Sequence, residues 1–364
     1  MKPPADQWPD FIRDNLGMYI GGNMDDALYR LVKTMLKEAM QDAARPARRF
    51  EITLHADDSF SLSSDADWSG LDIADLPTMT QRGQRMLDAP SRSSWSYMLA
   101  ACGLSAWFRR TLATGRTVYR EDTVATTATS TWTTEDDDRP AGQTISFLPD
   151  PALFIRGSMP WHAFWKDLRE LAALSTGRTI RLINEQIGVE TTFSYRHGLK
   201  SYLAELIPLH EREPLHIRAA VGECEVEAAL HWPAFDSPGW RRPAPFLRSF
   251  VNGERTRSGS HVDGFWRGLI EGLAAFIEHT GLGDPRDFTL RRTRIKPYLC
   301  GAIAVNLPKA AWAGATKAEL ANPEVEPLVA GLIREAVLAA ANAEPPGQKA
   351  DPTSLAAQLK HPLR

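Results

Sequence analysis

Three polar residues in the stretch 26–43 have a spacing that could carry chemistry. Thr34, Glu38 and Asp42 are four residues apart, so a helix over this stretch presents them on one face. Glu38 and Asp42 are the candidates for a general acid and base if the protein is an enzyme, because carboxylates transfer protons at many active sites. Desolvation of Glu38 beneath aromatic side chains would raise its pKa and suit it to that role.

The stretch that carries these residues has a helical pattern. Apolar residues recur with the helical period from Leu28 to Ala43, and Arg45-Pro46 follows, which predicts a helix over 26–43. The next segment predicts a strand (50–55), a tight turn (56–58) and a second strand (59–63). A helix packed on a β-hairpin is therefore expected at the start of the fold.

The remainder of the first half alternates between the two types of element. The predicted elements are a helix over 98–112, strands at 117–119, 124–133 and 144–147, and a helix over 161–174. The Thr-rich, acidic stretch 123–140 predicts a hairpin at a sheet edge. This order indicates an α+β fold with a mainly antiparallel sheet.

A new pattern starts near Pro214 and indicates a second α/β domain. Its predicted elements are strands at 217–221, 225–231 and 298–306, a Pro-rich loop at 233–246, and helices over 262–279 and 325–341. The tail 343–364 is rich in proline and charge and is predicted to be disordered.

Composition excludes several classes of protein. The 364 residues include 42 basic and 45 acidic side chains, which gives no strong attraction to nucleic acid. The three cysteines are far apart and form neither a disulfide framework nor a zinc motif. No apolar stretch has the length of a signal peptide or a membrane span. A cytoplasmic protein with no membrane partner, no metal and no cofactor is expected.

The two halves contain motifs in a recognisable order. The first half has LGMYIGG (16–22), LYRLVKTMLKEAMQDA (28–43), ADDSFSLS (56–63), QTISFLPDPALF (143–154) and LRELAALSTGRTIRLI (168–183). These resemble the ATPase domain of the DNA gyrase and topoisomerase IV B proteins. The second half has SFVNGERTRSGSHVDGF (249–265) and AGATKAELANPEV (313–325), which resemble the transducer domain of the same family.

The resemblance implies the architecture. It predicts a Bergerat-type (GHKL) α/β sandwich over 1–210, with a degenerate nucleotide pocket, and a transducer domain like domain 2 of ribosomal protein S5 over 211–342. His261 would then cap or pack at the start of its helix. The metal-binding TOPRIM domain and the DNA-cleaving partner of the family have no matching motif in the 364 residues, so DNA cleavage is not expected.

The catalytic positions of the family are changed. The family helix aligned with 28–43 presents a glutamate that activates water and, one turn later, an asparagine that holds magnesium. Those positions are Thr34 and Glu38 here. Threonine without an adjacent base does not take a proton from water near neutral pH, so hydrolysis by the family mechanism is not expected. Glu38 would also place negative charge beside phosphate oxygens.

The nucleotide-contacting positions are changed as well. Ser64 stands where the family has the aspartate that binds adenine, although Asp65 would restore it with a shift of one residue, and Trp68 replaces a glycine. The Gly-rich phosphate loop of the family aligns with 91–101, which contains Trp95 and Tyr97 but no glycine.

Two further positions complete the former pocket. A family threonine is Gln143 here, and the glutamine that reaches the γ-phosphate is Ala315. Lys317 remains, either as a retained anion contact or as a solvated lysine. Trp68, Trp95 and Trp107 would disfavour a polyanion and favour a flat or apolar organic ligand. The predicted ligand-binding residues are therefore Thr34, Glu38, Ser64, Asp65, Trp68, Trp95, Tyr97, Gln143 and Lys317.

These changes predict a gyrase-B-like protein that has lost ATP hydrolysis and ATP binding. Its former nucleotide pocket would bind another small organic molecule or serve a regulatory or antibiotic self-resistance role. One alternative is an ATP-independent enzyme of specialised metabolism that uses this pocket as its active site. A second alternative is the ATP-dependent topoisomerase component that the fold alone suggests.

The expected partners are a small organic molecule and a gyrase-type protein, without direct binding to DNA. Family members dimerise through an N-terminal arm that reaches the nucleotide of the other protomer. The resemblance begins near residue 11, so about ten residues precede it here. A monomer or a constitutive homodimer is therefore expected, rather than an ATP-gated dimer.

Overall fold

The computed structural model describes residues 7–17, 26–42, 45–88, 97–124, 130–154, 161–207, 213–232, 244–314 and 316–340. Contacts between Cα atoms divide the chain into two compact units, Met1–Ser194 and Tyr195–Arg364. The tail 343–364, predicted to be disordered, lies outside the described residues. None of the helices in the described ranges combines the length and the apolar content needed to cross a bilayer.

The first unit contains five of the described helices and one large sheet. The helices are α1 (Trp8–Asp14), α2 (Ala27–Gln41), α3 (Met79–Asp88), α4 (Tyr97–Gly103) and α5 (Trp161–Ala173). The strands are β1 (Arg49–Leu54), β2 (Phe60–Ser64), β3 (Ser105–Ala113), β4 (Thr117–Val124), β5 (Ser130–Asp136), β6 (Gly142–Pro149), β7 (Thr179–Asn184) and β8 (Val189–Ser194).

The eight strands pair in the order β5-β4-β3-β6-β2-β1-β7-β8. Every neighbouring pair is antiparallel except β1 and β7, which are parallel. The predicted α+β class with a mainly antiparallel sheet is thus confirmed, as are the helix at 26–43 and the hairpin that follows it. The sheet-edge arm predicted within 123–140 corresponds to β5, which is the outermost strand and pairs antiparallel with β4. The single strand predicted over 124–133 is wrong, because β4 ends at Val124 and β5 begins at Ser130; residues 125–129 lie outside the description.

The predicted helix over 98–112 is wrong. The helix ends at Gly103, and strand β3 begins at Ser105. Leu104, Phe108 and Leu112 recur every four residues, a spacing that fits a helix face and also fits one face of a strand, because four is a multiple of the strand period of two. Pairing with β4 and β6 on both sides selects the strand.

The core of the first unit lies between the helices and one face of the sheet. Helix α2 contributes a continuous stripe of buried side chains to this core: Leu28, Leu31, Val32, Met35, Leu36 and Met40. Helix α1 is anchored by Trp8, which is fully buried. A Cβ added at Gly83 of α3 would lie 2.3 Å from Cγ of Trp8, so glycine there makes room for the indole.

The second unit has its own sheet and helices. Its helices are α6 (Leu199–Leu206), α7 (Ser260–Thr280), α8 (Arg292–Ile295) and α9 (Val325–Ala339). Its strands are β9 (Leu215–Val221), β10 (Cys224–His231), β11 (Phe246–Val251), β12 (Glu254–Thr256), β13 (Ser258–Gly259), β14 (Cys300–Asn306) and β15 (Glu319–Leu320). Five strands pair in the order β12-β11-β14-β10-β9, and β13 pairs with β15. Cys102, Cys224 and Cys300 form no disulfide.

Helix α6 belongs to the second unit, whereas the boundary at 210/211 derived from the sequence places it in the first. The helix packs on β10 and β14. The Glu227 carboxylate accepts a hydrogen bond of 2.7 Å from the backbone N–H of Leu199, the first residue of α6. This carboxylate satisfies an N–H that has no partner within the helix.

Helices α7 and α9 pack closely because α7 carries three glycines on the contact face. A Cβ added at Gly268 would lie 2.3 Å from the carbonyl oxygen of Ala330, and similar clashes would occur at Gly264 and Gly272. By contrast, Gly331 of α9 has no atom within 4 Å of an added Cβ. Close packing of the two helices therefore requires the three glycines of α7 but not Gly331 of α9.

We expect Gly268→Ala to lower the free energy of unfolding by about 1–3 kcal/mol, because the methyl group meets backbone atoms that have no room to move. Gly331→Ala is the matched control and should raise it by about 0.5–1 kcal/mol, since alanine has the higher helix propensity. Urea denaturation of both variants measures these changes. Equal effects of the two substitutions would contradict the close packing.

Candidate functional site

The three polar residues of α2 are each engaged locally. The Thr34 hydroxyl donates a hydrogen bond of 2.7 Å to the carbonyl oxygen of Arg30 in the preceding turn. Asp42 follows the last residue of α2, and its Oδ1 accepts from the backbone N–H of Arg45 at 3.2 Å. This local bonding is the usual behaviour of short polar side chains near helix ends.

Glu38 contacts the start of another helix. Both of its carboxylate oxygens lie 3.2 Å from the backbone nitrogen of Tyr97, the first residue of α4. The first N–H groups of a helix have no intrahelical acceptor, and negative charge is favourable there. The carboxylate therefore fills an anion position at the beginning of α4.

Arg82 of α3 lies within electrostatic range of this carboxylate. Burial lowers the pKa of its guanidinium, and the charges of Glu121 and Glu38 oppose that decrease. Arg82 thus interacts electrostatically with both Glu38 and the buried Glu121.

Asp42 and Trp68 are joined through Arg45. The Arg45 guanidinium carbon lies 4.0 Å from the centre of the Trp68 ring, a cation–π distance, and Arg45 Nη1 is 3.9 Å from the Asp42 carboxylate. Trp68 is only 6% exposed. Its indole Nε1 is buried and has no hydrogen-bond partner among the described residues.

Ser64 and Gln143 are neighbours on adjacent strands. They pair directly in the register of β2 and β6 and share a cross-strand row with Phe50 and Leu112, both of which are buried. Residues in one row point to the same face of a sheet. Ser64 and Gln143 therefore lie on the same face of the sheet as Phe50 and Leu112.

Asp65, the alternative to Ser64, holds the start of β1. Its Oδ1 accepts from the backbone N–H groups of Arg48 and Arg49, both at 2.8 Å, and its Oδ2 lies 3.1 Å from Arg49 Nε. Burial by itself would raise the pKa of Asp65, but these hydrogen bonds lower it below its usual value.

The remaining predicted residues are dispersed. Lys317 lies in the second unit with a φ of 51°, a left-handed conformation that is uncommon for residues other than glycine. Trp95 and Ala315 lie outside the described residues. In the first unit the structure thus brings together Glu38 with Tyr97, Ser64 with Gln143, and Asp42 with Trp68 through Arg45.

A buried ion pair, which the sequence analysis did not predict, lies in the interior of the first unit. Arg110 and Glu121 are 2% and 0% exposed, and their charged groups lie 2.8 Å apart. The Glu121 carboxylate also accepts from the backbone N–H of Met79 at 2.5 Å and from the Ser130 hydroxyl at 2.6 Å. Burial lowers the pKa of Arg110 to about 10, and Glu121 opposes this decrease.

The sequence contained a signal for this buried ion pair. Arg110 stands between Phe108 and Leu112 on the apolar face of β3, where a charge needs a partner. Glu121 is its direct neighbour in the register of β3 and β4. No group of three or more potential metal ligands occurs among the described residues.

The transducer-like motif surrounds a buried histidine. His261, the second residue of α7, is 0% exposed, and its Nε2 lies 2.9 Å from the Thr256 hydroxyl. Its Nδ1 has no partner among the described residues. Burial lowers the pKa of His261 to about 4, so the ring is neutral at pH 7. The prediction that this histidine packs at the helix start is confirmed.

Similarity to known proteins covers most of the chain. The DNA gyrase B family model matches residues 198–351. The chloroplastic and mitochondrial DNA gyrase B of Oryza sativa subsp. japonica is 26% identical over 355 residues, which is 90% of this chain and 48% of the relative. The chain is similar to DNA gyrase B proteins. The gyrase B of Clostridium acetobutylicum is 25% identical, over 90% of this chain and 53% of the relative. The chain thus spans about half the length of these gyrase B relatives.

Solved structures agree on the fold. The 43K ATPase domain of Thermus thermophilus gyrase B, solved in complex with an aminocoumarin, matches with a TM-score of 0.72 and 22% identity. The match covers 92% of this chain and 89% of that chain. The gyrase B structure from Myxococcus xanthus matches with a TM-score of 0.75 and 21% identity, over 96% and 99% of the two chains. The fold is therefore the GHKL sandwich followed by the transducer fold of gyrase B, as predicted.

Removing one charge of the buried pair should destabilise the protein strongly. We expect Glu121→Gln to lower the free energy of unfolding by about 3–5 kcal/mol, because it leaves Arg110 buried without a counter-charge. Glu135→Gln is the control, since Glu135 lies 4.0 Å from Arg120 on the neighbouring strands and is largely exposed. It should cost less than about 1 kcal/mol. Chemical denaturation distinguishes the two, and a small cost at Glu121 would refute the importance of the pair.

The buried histidine should make stability depend on pH. An ordinary histidine has a pKa of 6.5 and folded His261 one of about 4, so below pH 6.5 the unfolded chain binds a proton that the folded chain does not. The stabilisation is complete above about pH 6.5, decreases as the pH falls, and amounts to about 3 kcal/mol of lost stability by pH 4. His261→Gln removes this titration but keeps a donor to Thr256. The free energies of unfolding of wild type and variant are measured by chemical denaturation from pH 4 to 7.5. Their difference should change with pH as expected when unfolding takes up one proton. Two curves that stay parallel over this range would exclude the titration of His261.

Proposed function

We propose that this gyrase-B-like chain neither hydrolyses nor binds ATP. Its former nucleotide pocket has been remodelled to hold another small organic molecule, in a regulatory or self-resistance role. The proposal rests on the positions that the family uses for ATP and on what the side chains at those positions contact here.

Loss of hydrolysis is supported by Thr34. This residue stands where the family presents the glutamate that activates water, and its hydroxyl donates to the carbonyl oxygen of Arg30. A threonine hydroxyl has no basic function near neutral pH, so an attacking water has no proton acceptor at this position.

The observation that carries the loss of binding is the contact between Glu38 and Tyr97. Tyr97 belongs to the segment aligned with the loop whose backbone N–H groups wrap the phosphates in the family. Here the Tyr97 N–H faces both oxygens of the Glu38 carboxylate at 3.2 Å. A triphosphate would have to displace this carboxylate and then lie beside its negative charge, which is unfavourable in a partly buried site.

An organic ligand is supported by the surroundings of Trp68. The indole stands where the family has a glycine, is almost fully buried, and is stacked by Arg45 at 4.0 Å. Its Nε1–H has no partner among the described residues. A planar molecule with a hydrogen-bond acceptor would complement such a wall.

A gyrase-type protein is the protein partner we propose, because the relatives are gyrase B proteins and this chain spans about half of their length. Direct binding to DNA is not part of the proposal, since 42 basic and 45 acidic residues leave no excess of positive charge.

Titration with ATP and a non-hydrolysable analogue, with and without magnesium, tests the proposal. We expect no thermal shift of the wild-type chain at millimolar nucleotide and no phosphate release in a hydrolysis assay. A ligand at 100 times its Kd would stabilise the protein by about 2.7 kcal/mol, which such a titration detects. A magnesium-dependent shift would contradict the proposal and favour an ATP-dependent topoisomerase component.

Glu38→Asn tests whether the Glu38 carboxylate is what prevents ATP binding. It removes the carboxylate from the Tyr97 N–H and supplies the residue type that holds magnesium in the family, so we expect the affinity for the analogue to rise at least tenfold. Asp42→Asn is the matched control, because it removes a carboxylate from the same helix face and leaves the Glu38 contact in place. Equal gains in both variants would indicate a general charge effect and not a blocked amide.

A further inference from the structure

A cavity of about 420 Å³ lies at one end of the eight-stranded sheet. Its volume is within the range of small-molecule sites, about 300–1,000 Å³. The register brings one side chain from each of six adjacent strands into a single row that lines it: Thr111, Thr144, Ser63, Glu51, Arg181 and Thr192. All six are polar. The neighbouring row contributes Phe50, Ser64 and Gln143 to the same lining.

The charges of this cavity are already paired within the chain. The Arg181 guanidinium lies 2.7 Å from Glu51 and forms a two-point contact with Glu190 at 2.7 and 2.8 Å. The other two arginines of the lining, Arg49 and Arg139, contact Asp65 and Asp137. Because each cation is next to a carboxylate, the cavity offers neither an anion nor a cation an unmatched charge.

The uncharged part of the lining is made of hydroxyl groups beside a small apolar wall. Ser63 Oγ and Thr144 Oγ1 lie 3.1 Å apart, and Thr111 follows Thr144 in the row. Hydroxyls both donate and accept hydrogen bonds. The wall comes from Ala113, Pro140 and Ala141, which present carbon atoms at the same cavity.

We propose that this cavity binds a small uncharged polyhydroxylated molecule, of the size of a mono- or disaccharide. Such a ligand has hydroxyls that donate and accept, which match the threonine and serine hydroxyls and the outer lone pairs of the paired carboxylates. It also has a carbon face that suits the Ala113–Pro140–Ala141 wall. The lining also includes Ser64, Asp65 and Gln143, which the sequence analysis assigns to the former nucleotide pocket. The inference rests on the hydroxyl row instead, whose members Ser63 and Thr144 lie one position away on the same strands.

Saturation-transfer NMR and calorimetry on the full chain test the proposal with glucose, mannose, maltose, sucrose and myo-inositol as probes. We expect at least one of them to bind with a Kd of a few millimolar or tighter, and glucose 6-phosphate to bind more weakly than glucose. No binding by any neutral probe at 50 mM would overturn the proposal. Tighter binding of glucose 6-phosphate than of glucose would overturn it too, because it would indicate an anion site.

Isosteric variants locate the binding. Thr144→Val and Thr111→Val each remove one hydroxyl from the row, and we expect at least a fivefold increase in Kd from each. Thr133→Val is the matched control: Thr133 continues the same row two strands beyond Thr111, outside the cavity lining. It should leave the Kd within twofold. Unchanged affinity in both Thr144→Val and Thr111→Val, with melting temperatures near that of the wild type, would refute binding in this cavity.

Discussion

The carboxylate of Glu121 is fully buried and lies 2.8 Å from the guanidinium of Arg110. Four elements depend on this contact. Arg110 comes from β3 and also donates to the carbonyl oxygen of Pro77 at 3.0 Å, while Glu121 comes from β4 and accepts from the first backbone N–H of α3 and from Ser130 at the start of β5. Since a buried charge without such partners costs several kcal/mol, the positions of these elements are coupled. The pair therefore fixes where α3 begins relative to the sheet.

Helix α3 carries that constraint to the contact between Glu38 and Tyr97. Its Arg82 lies within electrostatic range of Glu121 and Glu38. Glu38 in turn meets the first N–H of α4. Two helices thus begin at carboxylates contributed by elements distant in sequence, and each carboxylate satisfies an N–H that a helix leaves without a partner. In a nucleotide-binding relative, a bound phosphate can supply negative charge at such a place. Here the Glu38 carboxylate supplies negative charge at the first N–H of α4.

The sequence predicted what depends on local pattern and missed what depends on pairing between distant strands. Helix α2 was predictable because its apolar residues recur with one period only. The segment from Leu104 to Leu112 was not, because its spacing of four fits a helix and a strand equally well. Arg110 and Glu121 are 11 positions apart in a hairpin, and only the register makes them neighbours. For the same reason the alignment located Glu38 and Tyr97 but did not predict that they would touch.

The large sheet separates two chemical environments through the strand period of two. Ser64 and Gln143 point to the same face as Phe50 and Leu112, whereas Ser63 and Thr144, one position away on the same strands, belong to the polar row on the other face. A substitution at one position therefore changes one face and leaves the side chains of the other in place. This independence allows the residues of one face to change while the sheet keeps its register. It also explains how a chain with 26% identity to a gyrase B protein keeps the same fold although most of its side chains differ.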